Sequence, residues 1–216
     1  MKTQSPPSLD IRHLLLKQNE KTLLSLNEVI KGGEILTIMG PSGSGKSTLL
    51  NWLVGMLPSN FQATGELYLN ESNITHSASH VRHIGLLYQD PLLFPHLTVE
   101  GNIAFAMPAG NKQQRLDKIN EALDQVGLTG MGKRFPQSLS GGQQARIALL
   151  RVLLSKPKAI LLDEPFSKLD SQLRQETRQL VFEQIQRHCL PAVMVTHDQS
   201  DATAAQGKVI TLNSTS

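Results

Sequence analysis

Aromatic residues are scarce in this 216-residue chain and are missing altogether from its first 51 positions. Phenylalanine, tyrosine and tryptophan make up 4% of the residues, and the first of them along the chain is Trp52. Planar ligands commonly stack on such rings. The absence therefore excludes an aromatic stacking platform from the segment that precedes Trp52.

Disulfides and long apolar runs are also missing. The single cysteine, Cys189, cannot form an internal disulfide, so nothing in the sequence requires an oxidising compartment. No apolar run approaches the roughly 20 residues that span a bilayer. The start, MKTQSPPSLD, has no apolar segment of the kind a signal peptide carries. We therefore expect a cytoplasmic protein whose role at a membrane, if any, comes through a partner.

The composition is that of a folded protein with a mildly basic balance. Hydrophobic residues make up 39% and charged residues 18%, and the formal net charge is +3. A small positive charge suits phosphate ligands or an anionic membrane surface, but it is also common in proteins with neither role. Residues 1–8, with Pro6 and Pro7, are predicted to form a flexible tail, and residues 9–216 a single domain.

Strand patterns alternate with helix patterns along the chain. The predicted strands are Leu9–Lys17, Leu23–Ile30, Glu34–Met39, Gly65–Asn70, Ile84–Tyr88, Ala159–Leu162 and Ala192–Val195. Helices are predicted at Lys46–Leu57 and Ser171–Arg187, and a helical insertion at about 92–155. Near-continuous apolar strands flanked by helices indicate an α/β fold with a parallel sheet covered on both faces.

A glycine-rich loop between a predicted strand and a predicted helix matches G-x-x-x-x-G-K-[ST], the phosphate-binding pattern. Its residues are Gly40, Pro41, Ser42, Gly43, Ser44, Gly45, Lys46, Ser47 and Thr48. Such a loop points its backbone N–H groups inward at an anion, and the helix that follows adds positive charge at its N-terminus. Lys46 is expected to hold the β- and γ-phosphates, and the Ser47 hydroxyl to bind Mg²⁺.

Polar residues follow three other predicted strands. Asp163 and Glu164 end the apolar run AILL, where Asp163 is expected to orient Mg²⁺ and Glu164 to take a proton from the attacking water. Gln89 can contact Mg²⁺ or that water, and His197 can hydrogen-bond the γ-phosphate. Read alone, the carboxylates also fit a strand that meets a solvated turn, and Gln89 and His197 also fit ordinary polar positions.

The series GPSGSGKST, Gln89, LSGGQ, ILLDEP, SKLD and His197 resembles the nucleotide-binding subunit of an ABC transporter, in the family's order and over about residues 9–210. The resemblance implies a P-loop NTPase (RecA-like) core with an ABC-type antiparallel β subdomain and an inserted helical subdomain. It implies ATP hydrolysis with Mg²⁺, assisted by Glu164, His197, Gln89 and Lys46.

The resemblance also implies partners. In this family two cassettes pack head to tail, and LSGGQ of one covers the ATP held by the other. Ser140, Gly141, Gly142 and Gln143 would then contact a nucleotide on a second copy of this chain, and Asp170 would act across the same interface. Membrane-spanning permease subunits, and through them a solute-binding protein, are expected partners, with no nucleic acid. The chain would lie on the cytoplasmic face of the inner membrane.

The sequence departs from the family at three places. An aromatic residue that stacks on adenine usually precedes the phosphate loop, whereas Leu16, Lys17 and Gln18 stand there in this chain. Lys168 replaces a small residue that is commoner before Asp170, and Gln144 and Ala145 follow LSGGQ where a basic residue is frequent. We expect these differences to tune the enzyme, with nucleotide affinity and base preference the properties most affected.

Two further patterns leave alternatives open. His76, His80 and His83 could suggest a metal site, but a polar surface loop is favoured because no cysteine lies near them. Leu92, Leu93, Phe94 and Leu97 could receive a helix of a membrane subunit or could fill a helical core. The periodic apolar residues Leu116, Ile119, Leu123 and Val126 are interpreted as packing residues.

Three functional classes fit the motifs. The favoured class is the ATPase of a bacterial importer, because the chain has no fused membrane span and only a short segment after His197. The alternatives are the ATPase of an exporter or lipoprotein-release system, and a non-transport ABC ATPase. The last is disfavoured because the chain has a single phosphate loop and no room for a long coiled coil.

Overall fold

The structure is a computed structural model that describes residues 6–212. It divides into two compact units. The first comprises Met1–Leu86, Lys158–Glu164 and Phe182–Ser216, and the second Leu87–Pro157 and Pro165–Val181. Of the expected tail, residues 1–5 lie outside the described part, and Ser8 already begins the first strand.

Nine strands and six α-helices occur among residues 6–212. The strands are β1 (Ser8–Gln18), β2 (Lys21–Lys31), β3 (Ile35–Met39), β4 (Phe61–Leu69), β5 (Ser72–Asn73), β6 (Ile84–Leu87), β7 (Ala159–Asp163), β8 (Ala192–Thr196) and β9 (Val209–Thr211). The helices are α1 (Lys46–Val54), α2 (Val99–Ala106), α3 (Lys112–Gln125), α4 (Gly141–Leu154), α5 (Ser171–Arg187) and α6 (Gln199–Ala204).

The first unit contains two sheets. One has the strand order β2-β1-β4-β5, with antiparallel pairing throughout. The other has the order β6-β7-β8-β3-β9, and β3 pairs in parallel with both β8 and β9, as β7 does with β8. The predicted α/β class with a parallel sheet is therefore confirmed. The antiparallel sheet is the second layer that the resemblance implied.

A large apolar core lies in the first unit. Leucine and isoleucine side chains of β1, β3 and β4 pack with those of α1 and with the strands β7 and β8. Four consecutive residues of β7, from Ala159 to Leu162, and all five of β8 are buried, as expected of central strands that are covered on both faces.

Helix α1 ends three residues earlier than predicted. Gly55 adopts a left-handed conformation with φ 77°, and the N–H groups of Gly55 and Met56 bond to the carbonyls of Trp52 and Asn51. This pattern is a Schellman motif, which glycine favours because it has no Cβ to clash. The helix therefore ends at Val54, where the apolar run LVGML had suggested that it continues.

A buried arginine holds the same end of α1. The guanidinium of Arg82 donates hydrogen bonds of 2.8 and 2.9 Å to the carbonyls of Trp52 and Leu53, and others to Ser77 and Thr75. The last carbonyls of a helix have no partner within the helix, and a cation there is favourable. Burial lowers the pKa of Arg82. Sequence reasoning missed this residue.

The second unit is mainly helical, as expected for residues 92–155. Helices α2, α3 and α4 surround a core that includes Ile119, Leu123 and Val126, so the interpretation of these residues as packing residues is confirmed. Asn102 is fully buried and clamps the preceding loop. Its side chain accepts a hydrogen bond from the N–H of Phe94 and donates to the carbonyls of Phe94, Leu97 and Thr98.

Candidate active site

The carboxyl ends of three neighbouring strands place the candidate catalytic residues at one edge of the parallel sheet. Met39 pairs with Thr196, and Asp163 pairs with Val195. The phosphate loop follows β3, Glu164 follows β7 and His197 follows β8, so all three emerge at this edge. In open α/β sheets this is the edge at which ligands bind.

The phosphate loop presents a helix N-terminus that no side chain occupies. The residue before α1 is Gly45, with φ 92°, and it provides no side-chain cap. The first turn of α1 contains no acidic residue. The backbone N–H groups of that turn are therefore available to an anion, which the partial positive charge of the helix end favours. A β-carbon at Gly45 would also lie 3.3 Å from the Leu23 side chain.

Two side chains of the loop fit a phosphate. The ammonium of Lys46 donates to the carbonyl oxygens of Gly40 and Pro41, at 2.8 and 2.9 Å. An ammonium has three N–H donors, so these bonds leave capacity for a phosphate oxygen. The hydroxyl of Ser44 is buried and has no hydrogen-bond partner within residues 6–212. Buried polar groups are normally paired, so this hydroxyl is a candidate donor to a bound anion.

Glu164 and His197 form a pair beside the loop. Nδ1 of His197 donates to Oε2 of Glu164 at 2.9 Å, which fixes the direction of the carboxylate. Glu164 has φ 46°, a left-handed conformation that a non-glycine residue adopts at a cost of about 1–3 kcal/mol. Such strain is characteristic of functional sites. The pair brings a carboxylate and an imidazole together at the edge of the sheet where the sequence predicts both.

Asp163, the last residue of β7, is partly buried. Burial raises the pKa of Asp163 above its ordinary value, the negative charge of Glu164 raises it further, and Lys46 opposes the shift. A carboxylate that is disfavoured as an anion gains most from a bound cation. With the hydroxyl of Ser47 at the start of α1, Asp163 provides the oxygen donors that Mg²⁺ prefers.

A cleft of about 340 Å³ opens from the loop. Its walls include loop residues between Ser42 and Thr48, together with Glu164. Beyond the loop, the walls consist of Gln18, Leu23 and Phe61. The volume falls within the range of roughly 300–1,000 Å³ that is usual for small-molecule sites.

The other predicted site residues lie in the second unit. Gln89 is exposed and follows β6, and the stretch LSGGQ begins α4. Ser140 and Gln143 form a capping box: the Ser140 oxygen accepts from the Gln143 N–H, and the Gln143 side-chain oxygen accepts from the Ser140 N–H. The Ser140 hydroxyl proton is not used by this bond, so the exposed side chain can still donate to a phosphate.

The two glycines of this stretch have different surroundings. A β-carbon at Gly142 would lie 2.4–2.6 Å from Leu173 of α5, so packing within the unit already requires glycine there. Gly141 is exposed, and a β-carbon there would meet only Leu169, at 3.9 Å. The resemblance implies that both glycines contact a nucleotide. Packing within the unit explains the glycine at position 142 but not the glycine at position 141.

Asp170 and Lys168 also have local contacts. Oδ1 of Asp170 accepts a hydrogen bond from the N–H of Leu173 and so caps the start of α5. The ammonium of Lys168 pairs with Asp90 at 2.5 Å. The lysine that departs from the family pattern thus links the segment before α5 to the residue after Gln89. Both side chains are more than half exposed, so this ion pair is expected to contribute little stability.

The loop after Gln89 combines packed and exposed apolar residues. Leu93 packs against the helical core, whereas Leu92 is 58% exposed. Arg151 of α4 donates to the carbonyls of Pro91 and Leu92 at 2.9 and 2.7 Å, which holds the loop. Filling of a helical core therefore applies to Leu93, and docking of a membrane subunit stays a hypothesis for the exposed Leu92.

The three histidines His76, His80 and His83 do not converge. Within residues 6–212 no group of three His, Cys, Asp or Glu side chains is placed to hold a metal ion. In the same part of the chain, no helix has the length and apolar character needed to cross a membrane.

Comparison with known proteins gives concordant matches. The sequence pattern of the ABC transporter family matches residues 23–167. An uncharacterized ABC transporter ATP-binding protein of Escherichia coli, YnjD, is 47% identical over 91% of each chain. The thiamine import ATP-binding protein ThiQ of Haemophilus influenzae is 43% identical over 89% of each.

Longer relatives and a solved structure match as well. The ferric ion import ATP-binding protein FbpC of Mannheimia succiniciproducens is 38% identical over 93% of this chain, which spans 58% of that longer protein. The dimeric structure of MJ0796, a bacterial ABC transporter cassette, superposes with a TM-score of 0.76 at 30% identity and covers 95% of this chain. From these matches, and from the phosphate loop beside the Glu164–His197 pair, the chain belongs to the ABC transporter family as an ATP-binding protein and an ATPase.

Proposed function

We propose that this chain is the ATP-hydrolysing subunit of a bacterial ABC importer, in which ATP-driven dimerisation powers transport. The observation that carries the ATPase half is the Glu164–His197 pair, because Glu164 lines the same cleft as the phosphate loop. The import half rests on relatives such as ThiQ and FbpC, which are import proteins by name.

Different residues of the first unit bind the phosphates, activate the attacking water and hold Mg²⁺. The N–H groups of the loop and the ammonium of Lys46 bind the phosphates and neutralise their charge. Glu164 accepts a proton from the attacking water, and His197 orients the carboxylate through its Nδ1–H, which leaves Nε2 for a hydrogen bond with the γ-phosphate. Ser47 and Asp163 would hold Mg²⁺, which would neutralise charge that develops during phosphoryl transfer. Gln89, which belongs to the second unit, stays a predicted contact of Mg²⁺ or the attacking water.

The residues of the second unit act on a second copy of the chain. Ser140, Gly141 and the start of α4 form an exposed helix N-terminus that suits an anion. We propose that this surface, with Gly142 and Gln143 as its support, covers the ATP of the other copy, and that Asp170 lies at the same interface. The dimeric cassette to which the chain is similar supports this arrangement.

Exposed apolar residues of the second unit suit a membrane partner. Phe105 on α2 is 69% exposed, and its ring lies 4.8 Å from that of Phe94. Leu92, two residues before Phe94, is also exposed and lies on the loop that Asn102 and Arg151 hold by hydrogen bonds. We propose that this patch receives a permease subunit, which places the chain on the cytoplasmic face of the inner membrane. Cargo selection then belongs to the permease and any solute-binding protein, since the import relatives serve cargoes as different as thiamine and ferric ions.

The test is affinity purification of the tagged chain from detergent-solubilised membranes, with identification of stoichiometric partners by mass spectrometry. We expect a multi-span membrane protein, with a solute-binding protein where the complex is intact. Phe105→Asp should lose the membrane partner and keep ATP binding, whereas Phe135→Asp provides a control at another exposed phenylalanine of the same unit. A membrane partner with a large periplasmic domain would support an exporter instead. Ribosomal or DNA-associated partners alone would refute transport.

A further inference from the structure

The chain has an aromatic residue at its nucleotide cleft, although none precedes the phosphate loop in the sequence. Phe61 is the first residue of β4 and one of the residues that line the cleft. It is the only aromatic residue among them. The predicted strand began at Gly65, four residues later, so sequence reasoning gave Phe61 no role.

Strand pairing explains how Phe61 reaches the cleft. β1 and β4 are antiparallel, with Gln18 opposite Phe61 and Leu16 opposite Ala63. Residues opposite each other, and residues two apart, share one face of a sheet. Leu16 is fully buried and Ala63 packs against the core. The face that forms the core at Leu16 and Ala63 therefore continues to Gln18 and Phe61, which line the cleft.

The phosphate loop lies close to this apolar end. A β-carbon at Gly45 would be 3.3 Å from the Leu23 β-carbon, so Leu23 borders the loop directly. Leu23 and Phe61 are both half-buried, and each presents apolar surface to the cleft. One end of the cleft thus has phosphate chemistry and the other has apolar walls, an arrangement that fits a nucleotide with a planar base.

We infer that Phe61 is the residue on which the nucleotide base stacks, with Leu23 as a second apolar contact. This inference rests on the proposed placement of the phosphates on the loop. Leu16, one of the residues that stand where the family has its aromatic, cannot contact a ligand because it is buried in the core. The aromatic contact comes from β4, and Gln18 contributes a polar group beside it.

The chemistry predicts which bases bind well. A phenyl ring stacks on any base, and larger ring systems give more contact, so purine nucleotides should bind better than pyrimidine nucleotides. Stacking does not read the hydrogen-bonding edge of a base. ATP and GTP should therefore bind with similar affinity unless the Gln18 amide distinguishes them.

Phe61→Leu tests the inference, since it keeps an apolar side chain and removes the π face. Alanine substitution of a stacked aromatic weakens binding roughly 5- to 150-fold, and Phe61→Leu should weaken ATP binding toward the lower end of that range because leucine keeps apolar contact. Inorganic tripolyphosphate has no base, so its affinity should not change. Both ligands are titrated by calorimetry with Mg²⁺ present. Tyr68→Leu, on the same strand with its ring over Arg12, is the matched control and should bind ATP normally.

A fluorescent substitution gives a direct readout. Phe61→Trp, made with Trp52→Phe so that one indole remains, should bind ATP at least as well as the unmodified chain. Stacking on the base should quench its emission when ATP is added, and tripolyphosphate should leave the emission unchanged. This variant also serves if Phe61→Leu is poorly folded, which thermal unfolding without nucleotide will reveal.

The outcomes separate this inference from the proposal on which it rests. If the unmodified chain binds neither ATP nor tripolyphosphate, the placement of the phosphates is wrong. If it binds both, and Phe61→Leu binds ATP as tightly while ATP leaves the Phe61→Trp emission unchanged, the stacking role is refuted. Equal weakening of ATP and tripolyphosphate by Phe61→Leu also refutes it, because the change then acts on the loop.

Discussion

Replacement of the buried Arg82 by methionine should destabilise the nucleotide-binding unit severely. Arg82 is 5% exposed, and its guanidinium donates to four backbone carbonyls, two of them in α1. Methionine retains most of the aliphatic stem but has no donor, so the carbonyls lose their partners. The bonds to Trp52 and Leu53 are fully buried, and water cannot readily replace them.

These two bonds set the expected magnitude. A hydrogen bond to a charged group contributes about 1.5–3 kcal/mol, so the two buried bonds predict a loss of about 3–6 kcal/mol. The total stability of a domain is about 5–15 kcal/mol, so the loss is a large fraction of the total. Burial of the charged guanidinium is itself unfavourable, as the lowered pKa of Arg82 indicates, so its removal gives back some free energy. The gain is only partial, because the carbonyls that Arg82 bonded stay buried without a partner.

Urea unfolding followed by tryptophan fluorescence measures this loss. The single tryptophan, Trp52, is buried in α1 and belongs to the same unit as Arg82. Arg82→Lys should be intermediate, since an ammonium can reach fewer of the carbonyls. Arg12→Met, at an exposed arginine of the same unit, is the control. An Arg82→Met protein whose unfolding free energy lies within about 1 kcal/mol of the unmodified chain would refute the reasoning.

Three further substitutions test the catalytic and dimer assignments. Glu164→Gln should lower kcat by about 10²- to 10⁴-fold and accumulate a closed dimer with ATP, whereas Glu121→Gln, an exposed change on α3, should leave hydrolysis unchanged; a fast Glu164→Gln enzyme would remove that residue from the mechanism. Gly141→Ala should leave stability and ATP binding intact but impair hydrolysis, because nothing within its own unit crowds its β-carbon; full hydrolysis in this variant would contradict the role of Gly141 in the dimer. Asp163→Asn should stabilise the nucleotide-free protein at neutral pH. The raised pKa means that the folded state binds the Asp163 proton more tightly than the unfolded state does. The stability that this proton adds to the folded state is fully present below pH 3.8, the ordinary pKa, and is lost as pH rises through the folded-state pKa. A stability difference that does not change with pH would contradict this assignment.

Local motifs could be read from the sequence, whereas residues that act through distant contacts could not. The phosphate loop, Asp163 and Glu164 each depend on a strand that ends just before them, and the sequence contains that strand. Arg82 depends instead on carbonyls of α1, which are 29 and 30 residues earlier in the chain. Its neighbours in sequence form a polar stretch with no helix signal, so nothing local marks Arg82 as buried.

The missed beginning of β4 has a specific cause. The sequence predicts a strand that begins at Gly65, a residue type that often interrupts strands. In the structure it lies within the strand, with φ 114°, where the register of β1 against β4 shifts between Arg12 and Leu15. A β-carbon there would lie 2.7 Å from the Arg12 carbonyl oxygen, so the bulge requires glycine. The strand therefore continues back to Phe61, and the aromatic residue that seemed absent from the site lies at its first position.

The stretch LSGGQ supports a dimer because some of its polar groups remain exposed after its own contacts are made. The capping box and the contact of Gly142 with Leu173 fix the N-terminus of α4 within its own unit. A helix end that only needed stability would require nothing more than this capping. Yet the Ser140 hydroxyl and the Gly141 backbone are exposed, beside N–H groups that favour an anion. A phosphate can approach closely only where the surface is open and carries no negative charge, as at Ser140 and Gly141. The packing of Gly142 against Leu173 holds that surface in place. The phosphate loop of a second copy is the source of that phosphate in the dimer that we propose.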